Sequence, residues 1–130
     1  VTYWIFVINN TDAVFAERMD HRSWPIFNAT PHRMDLKSGD CVVFYKAGRD
    51  GQKFLGTAKI ASELRTERGK ITGSVDLADI ATWKKSPGIK EMIADLDFIF
   101  NKRMWGASLQ GGVIRIPESD FLKILKRAES

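Results

Sequence analysis

The hydrophobic pattern opens with Thr2 to Asn9 (TYWIFVIN), which is β-branched or aromatic almost throughout and apolar on both alternating faces. That predicts a central strand covered on both sides. Asn10-Thr11-Asp12 then offers N-cap chemistry for a short helix, with Val14, Phe15 and Met19 roughly on one side. Periodicity lapses over residues 20–34, where His21, Trp24, Pro25, Pro31 and His32 fall, and a long irregular loop is predicted. Lys37-Ser38-Gly39-Asp40 is a turn leading into the strand Cys41-Val42-Val43-Phe44-Tyr45, and residues 47–51 (AGRDG) read as a hairpin loop. Residues 53–62 return as a strand in which Gly56 predicts a bulge or a close backbone approach. After a turn at 66–69, a weakly alternating strand is predicted over 70–77 and a short helix over 89–96. Gly111-Gly112 breaks the chain before Val113-Ile114-Arg115-Ile116. Pro117, as a first helical residue, opens a last helix with Phe121, Leu122, Ile124 and Leu125 on its buried side. Several short strands, few helices and a central hairpin predict an α+β fold, a small mixed β-barrel flanked by short helices.

Composition narrows this picture without redirecting it. At 130 residues the chain reads as a single domain over 1–130, and 44% hydrophobic residues suffice for one core. No apolar run approaches the roughly 18–20 residues of a membrane span. The apolar start is too short for a signal-peptide core and lacks a basic flank, so a cytoplasmic location without membrane attachment is expected. A single cysteine, Cys41, excludes an internal disulfide and suits a reducing compartment. The net charge of +4 is compatible with a polyanionic partner.

The candidate chemistry lies in the tryptophans. Of the four, Trp4 falls in the doubly apolar strand and reads as core. Trp24, Trp83 and Trp105 each stand beside basic residues and structure-breaking neighbours, the company kept by indoles that stack on nucleobases. His21, His32 and Cys41 match no metal-ligand spacing, so neither a metal nor a cofactor is expected. Asp95 and Asp97 read as surface charges rather than a general acid and base, and Gly111-Gly112 lacks the context of a phosphate loop.

Taken in order, Tyr3-Trp4-Ile5-Phe6, Trp24, Ser38-Gly39-Asp40 with Val42-Val43-Phe44-Tyr45, Phe54-Leu55-Gly56 and the segment from Leu96 to Gly106 (LDFIFNKRMWG) resemble the EVE family across essentially the whole chain. That family is a branch of the PUA-like superfamily that also holds YTH and ASCH domains. The resemblance implies a non-enzymatic module that reads a modified base, methylated in the first instance, flipped into an aromatic cage. It implies nucleic acid, DNA or RNA, as partner, and a place in or beside a modification-dependent restriction system. Carried over by position, Trp24 matches a cage tryptophan and Trp105 falls near a second wall, so that the base lies between them. Asn9 and Asn10 match a polar pair, Ser23 is a further polar reader, and Leu77 lies near the position of a middle cage aromatic. Trp83 has no counterpart. Arg22, Arg33, Lys102 and Arg103 flank the tryptophans and are candidates for phosphate contacts.

The energetics suit such a site. Unstacking a base costs a few kcal/mol, and aromatic stacking returns about 1–3 kcal/mol. Burying one methyl adds only about 0.8 kcal/mol, so discrimination must come from polar groups that fit one base edge. Two other readings stay open: an RNA-binding accessory protein of the ASCH or PUA kind without modified-base specificity, and a small nucleoside hydrolase.

Overall fold

The computed structural model describes residues 1–9, 11–27, 29–49, 51–66, 69 and 72–129. Six strands form one mixed sheet: β1 (Tyr3–Ile8), β2 (Ser23–Phe27), β3 (Cys41–Lys46), β4 (Lys53–Ile60), β5 (Thr72–Thr82) and β6 (Val113–Ile116), in the order β2-β5-β4-β3-β1-β6. β1 runs parallel to β3, and every other pairing is antiparallel. Helix α1 (Asp12–His21) links β1 to β2, and α2 (Glu118–Ala128) closes the chain.

The sheet curls into a half-barrel. β2 and β1 stand four places apart in the strand order, which a flat sheet would translate into about 19 Å. Yet the Trp24 ring of β2 lies 5.7 Å from that of Phe6 in β1 and 4.9 Å from that of Phe44 in β3. Trp4, Phe6 and Ile8, with Val42 and Phe44, face this inner cluster together with Trp24, Ile26, Val75 and Leu77, and Val14, Phe15 and Met19 of α1 pack onto it. Ile5, Val43 and Tyr45 face a second cluster on the opposite side, covered by residues from Ile89 to Leu109 and by Phe121 and Ile124 of α2. β1 is therefore buried on both faces, as its pattern predicts.

The Gly39-Asp40 turn has a structural reason. Gly39 sits at φ +95°, and its N–H donates to the Ile60 carbonyl at 2.7 Å. The buried Asp40 carboxylate accepts from the Trp4 indole N–H at 2.9 Å, the Thr2 amide at 3.0 Å and the Lys37 amide at 3.1 Å. A buried charge is tolerated because donors converge on it. Gly56 makes the expected close approach: a Cβ there would collide with the Ala81 carbonyl, and the ladder slips beside it between Phe44 and Tyr45.

Five expectations are corrected. Residues 23–27 are not irregular but form β2, antiparallel to β5 with Trp24 opposite Val75 and Pro25 opposite Ser74. Pro25 is tolerated because β2 is an edge strand, where a missing N–H breaks no second ladder. β5 runs on to Thr82, beyond the predicted end at Leu77, because its second half pairs with β4 across a register shift between Thr57 and Lys59. Residues 89–96 form two 3₁₀ turns, Ile89–Glu91 and Ile93–Asp95, rather than an α-helix. Their buried anchors Ile89 and Met92 are three apart, the 3₁₀ period. In α2, Leu122 is exposed while Phe121 and Ile124 are buried, and Pro117 is the N-cap rather than the first helical residue.

Candidate functional site

The end of β1 forms the wall between two clefts. Val7 donates its N–H to the Gly112 carbonyl at 2.8 Å, which fixes the Gly111-Gly112 segment beside Asn9. Both glycines have positive φ, +100° and +82°, a backbone path that side-chain-bearing residues resist. The corner is braced by Lys46, the parallel partner of Ile8, whose ammonium donates to Asp12 of α1 at 2.6 Å. That hydrogen bond and charge hold the Asp12 carboxyl below its ordinary range.

On one side of the wall is a cleft of about 270 Å³ between β1, α1 and β2, lined among others by Asn9, Arg18, Trp24, Phe27 and Thr30. Trp24 forms its floor and is only 3% exposed, held against Phe6 and Phe44. The Arg18 guanidinium lies 4.6 Å from the Trp24 ring centroid. Burial lowers the pKa of that arginine, though an arginine keeps its charge throughout the working pH range. Phe27, at the end of the edge strand, is 54% exposed. The turn after it is tied by the Thr30 N–H donating to the Phe27 carbonyl at 3.0 Å. A larger groove of about 640 Å³ runs along α1, β2 and β5, and shares Arg18 and Pro25 with this cleft. His21, Ser23 and Arg65 line it.

On the other side of the wall lies a cleft of about 430 Å³ lined by Trp105, Tyr45, Gln52 and Gln110, with Asn9 again on the shared edge. Trp105 is half-buried and packs on the second face of the sheet. The two indoles therefore do not face each other across one base-sized gap. Trp24 belongs to one face of the sheet and Trp105 to the other.

The profile of the EVE domain matches residues 2–127. The chain belongs to the EVE domain family. Comparison with curated protein sequences finds no match. Solved structures similar to this EVE domain include Rpa0253 from Rhodopseudomonas palustris, 15% identical, covering 99% of this chain and 94% of that one at a TM-score of 0.73. They also include human THYN1 in complex with 5-methylcytosine containing DNA, 11% identical, covering 100% and 99% at 0.69. A third is the YTH domain of Zygosaccharomyces rouxii MRB1 in complex with N6-methyladenosine RNA, 14% identical, covering 97% and 86% at 0.63. At such identities the likeness carries the fold, a PUA-like α+β half-barrel.

Within this EVE domain the sequence-derived candidates scatter. Asn9 is exposed and lines both clefts. Asn10 lies outside the described residues. Ser23 lines the neighbouring groove and not the Trp24 cleft. Leu77 is buried in the inner cluster behind Trp24, and its N–H donates to the Arg22 carbonyl at 2.8 Å; it lines neither cleft. The four basic candidates line neither cleft either. Arg22 caps α1 in a left-handed conformation, and Arg33 is half-buried in a 3₁₀ turn. Lys102 donates to the Leu96 carbonyl at 2.6 Å. Arg103 sits in a turn built on the Asn101 side chain. Trp83 is half-buried packing on the second face. Arg18, Phe27 and Thr30 of the first cleft, and Gln52 and Gln110 of the second, are not among the sequence-derived candidates. Arg18 lies four after Val14, on the helix side that packs inward, and that spacing was available as a signal. Phe27 has none, because Pro25 within its strand is a loop signal in the sequence. Among the described residues, no group of three His, Cys, Asp or Glu side chains is placed to hold a metal ion, and no helix is long and apolar enough to cross a membrane.

Proposed function

We propose that this EVE domain is a non-enzymatic reader of modified nucleic acid, and that the Trp24 cleft takes the unstacked base. One observation carries the reading: an aromatic floor, an exposed aromatic and an exposed carboxamide converge on one concave opening at the sheet end, through Trp24, Phe27 and Asn9. The base stacks on Phe27 and on the Trp24 face, and Asn9 offers a donor and an acceptor to its edge. Arg18 occupies that Trp24 face in the free protein and swings toward solvent as the base enters. There its charge becomes available to a phosphate in the adjoining groove, beside Arg65. The groups of this cleft bind and orient; the base is recognised and released unchanged. The family match and the nucleic-acid complexes of the THYN1 and YTH-domain structures support the substrate class.

The test is a binding screen over DNA and RNA oligonucleotides, single- and double-stranded, carrying 5-methylcytosine, 5-hydroxymethylcytosine or N6-methyladenine, each against its unmodified twin. The expected result is preference for one modified form, lost in Phe27→Ala and Asn9→Ala proteins that remain folded. The covered Trp24 face favours a second reading, in which Arg18 stays in place and the domain binds RNA by shape. Equal affinity for modified and plain strands decides for that alternative.

A further inference from the structure

The Trp105 cleft differs in kind from the one just described. Among the described residues that line it there is no lysine, arginine, aspartate or glutamate, whereas the Trp24 cleft holds Arg18. Its polar side chains, among the described residues, are three carboxamides, Asn9, Gln52 and Gln110, and the Tyr45 phenol. Each carboxamide presents a donor and an acceptor side by side, the pairing that matches a base edge in a bidentate way. Its flat surface is Trp105, with Tyr45 as a second aromatic. Gly48, Gly106, Gly111 and Gly112 also line it and let a planar ligand approach the backbone. Its size, about 430 Å³, falls within the roughly 300–1,000 Å³ of small-molecule clefts. Uncharged hydrogen-bonding pairs beside a stacking surface suit a neutral heteroaromatic ring, and suit a phosphate poorly.

The cleft also has a fixed relation to its neighbour. Both share Val7, Asn9, Gly111 and Gly112, so a single wall of chain separates them. A polynucleotide crossing the rim at Asn9 has one opening on each side. The geometry points to the Trp105 cleft as the seat of a second, unpaired nucleobase, the neighbour of the flipped one on the same strand, so that two successive bases splay to either side of the Asn9–Gly112 wall. This rests on the base-reading function proposed above and extends it: the domain recognises a two-nucleotide step, with Trp105 and the glutamines setting the preferred neighbour of the modified base.

The experiment uses the whole chain and short single-stranded DNA bearing one central 5-methylcytosine, or whichever modified base the screen prefers. The nucleotide on its 5′ or its 3′ side is replaced by an abasic residue. Removing the base on one particular side is expected to weaken binding about tenfold, the loss of one stacked base. Trp105→Ala is expected to lose the same factor on the intact strand and nothing more on the abasic one. Because Trp105 is partly buried, Gln110→Ala serves as a second variant at an exposed position, and is expected to flatten the preference among the four neighbouring bases. If abasic substitution on either side leaves affinity unchanged while the modified base is still preferred, the second seat is wrong and the Trp24 reading stands. If no oligonucleotide binds, both fall together.

Discussion

The two clefts share a wall and both contain a tryptophan, but the indoles do different work. Trp24 is an inner-cluster residue whose ring rests on Phe6 and Phe44 and carries Arg18 on top. Trp105 is half-buried on the opposite face, in an opening whose described lining residues are uncharged and include three carboxamides. One is buried within the inner cluster; the other packs half-buried against the second cluster and lines its cleft. A tryptophan beside basic residues in a sequence does not distinguish the two, because the distinction is set by what packs behind the ring.

The largest expected effect tests that difference directly. Trp24→Ala removes a buried aromatic and is expected to cost about 3–5 kcal/mol of stability in chemical denaturation, whereas Trp105→Ala costs about 1–3 kcal/mol. Equal losses would erase the distinction between scaffold and lining. Next in size is Phe27→Ala. The ring is 54% exposed, so stability should stay within about 0.5 kcal/mol, while affinity for the preferred oligonucleotide falls by about 1–3 kcal/mol in a titration. An unchanged affinity would remove Phe27 from the cleft that reads the base.

Arg18→Ala sharpens the comparison in the opposite direction. The guanidinium and the entering base compete for the same face of Trp24, and such a cation–π contact is worth about 0.5–1 kcal/mol. Low-salt affinity in the variant reflects both the freed face and the lost charge, so the informative measurement is made at high salt. There phosphate attraction is screened, and affinity is expected to rise about two- to fivefold. A fall at high salt would make Arg18 a second wall of the site rather than its cover.

The smallest effect belongs to the Trp105 side. Burial pushes the Tyr45 hydroxyl up to about 12, so the folded protein holds that proton more tightly than the unfolded chain, whose tyrosine titrates near 10. The resulting stabilisation is complete below about pH 10 and is lost as pH rises from there through about 12. Stability measured along that range should decline in wild type and decline less in Tyr45→Phe. Identical slopes would mean that Tyr45 ionises as freely in the fold as out of it.

Much of the fold was legible locally. The doubly apolar first strand, the helix capped at Thr11, the Gly39-Asp40 turn and the close approach at Gly56 are each written in a few neighbouring residues. The site was less legible. Asn9, carried over by position at the end of the first strand, lines both clefts. Ser23 is a candidate for its polarity and Leu77 for its position, and the fold turns one toward a groove and the other into the core. Phe27 went unnoticed because Pro25 resembles a loop signal, and only the sheet order shows that β2 is an edge where proline is permitted.

Neighbouring residues suffice for the family, the central strand, the capped helix and the presence of indoles beside positive charge. Which indole became floor and which became wall was decided by the curl of the sheet. That curl brings strands four places apart in the strand order into ring contact around Trp24, while the segment carrying Trp105 packs on the opposite face. Local patterning sets which way a side chain points from its own strand. Only the closure of distant strands sets what it meets there, because those contacts join residues far apart along the chain.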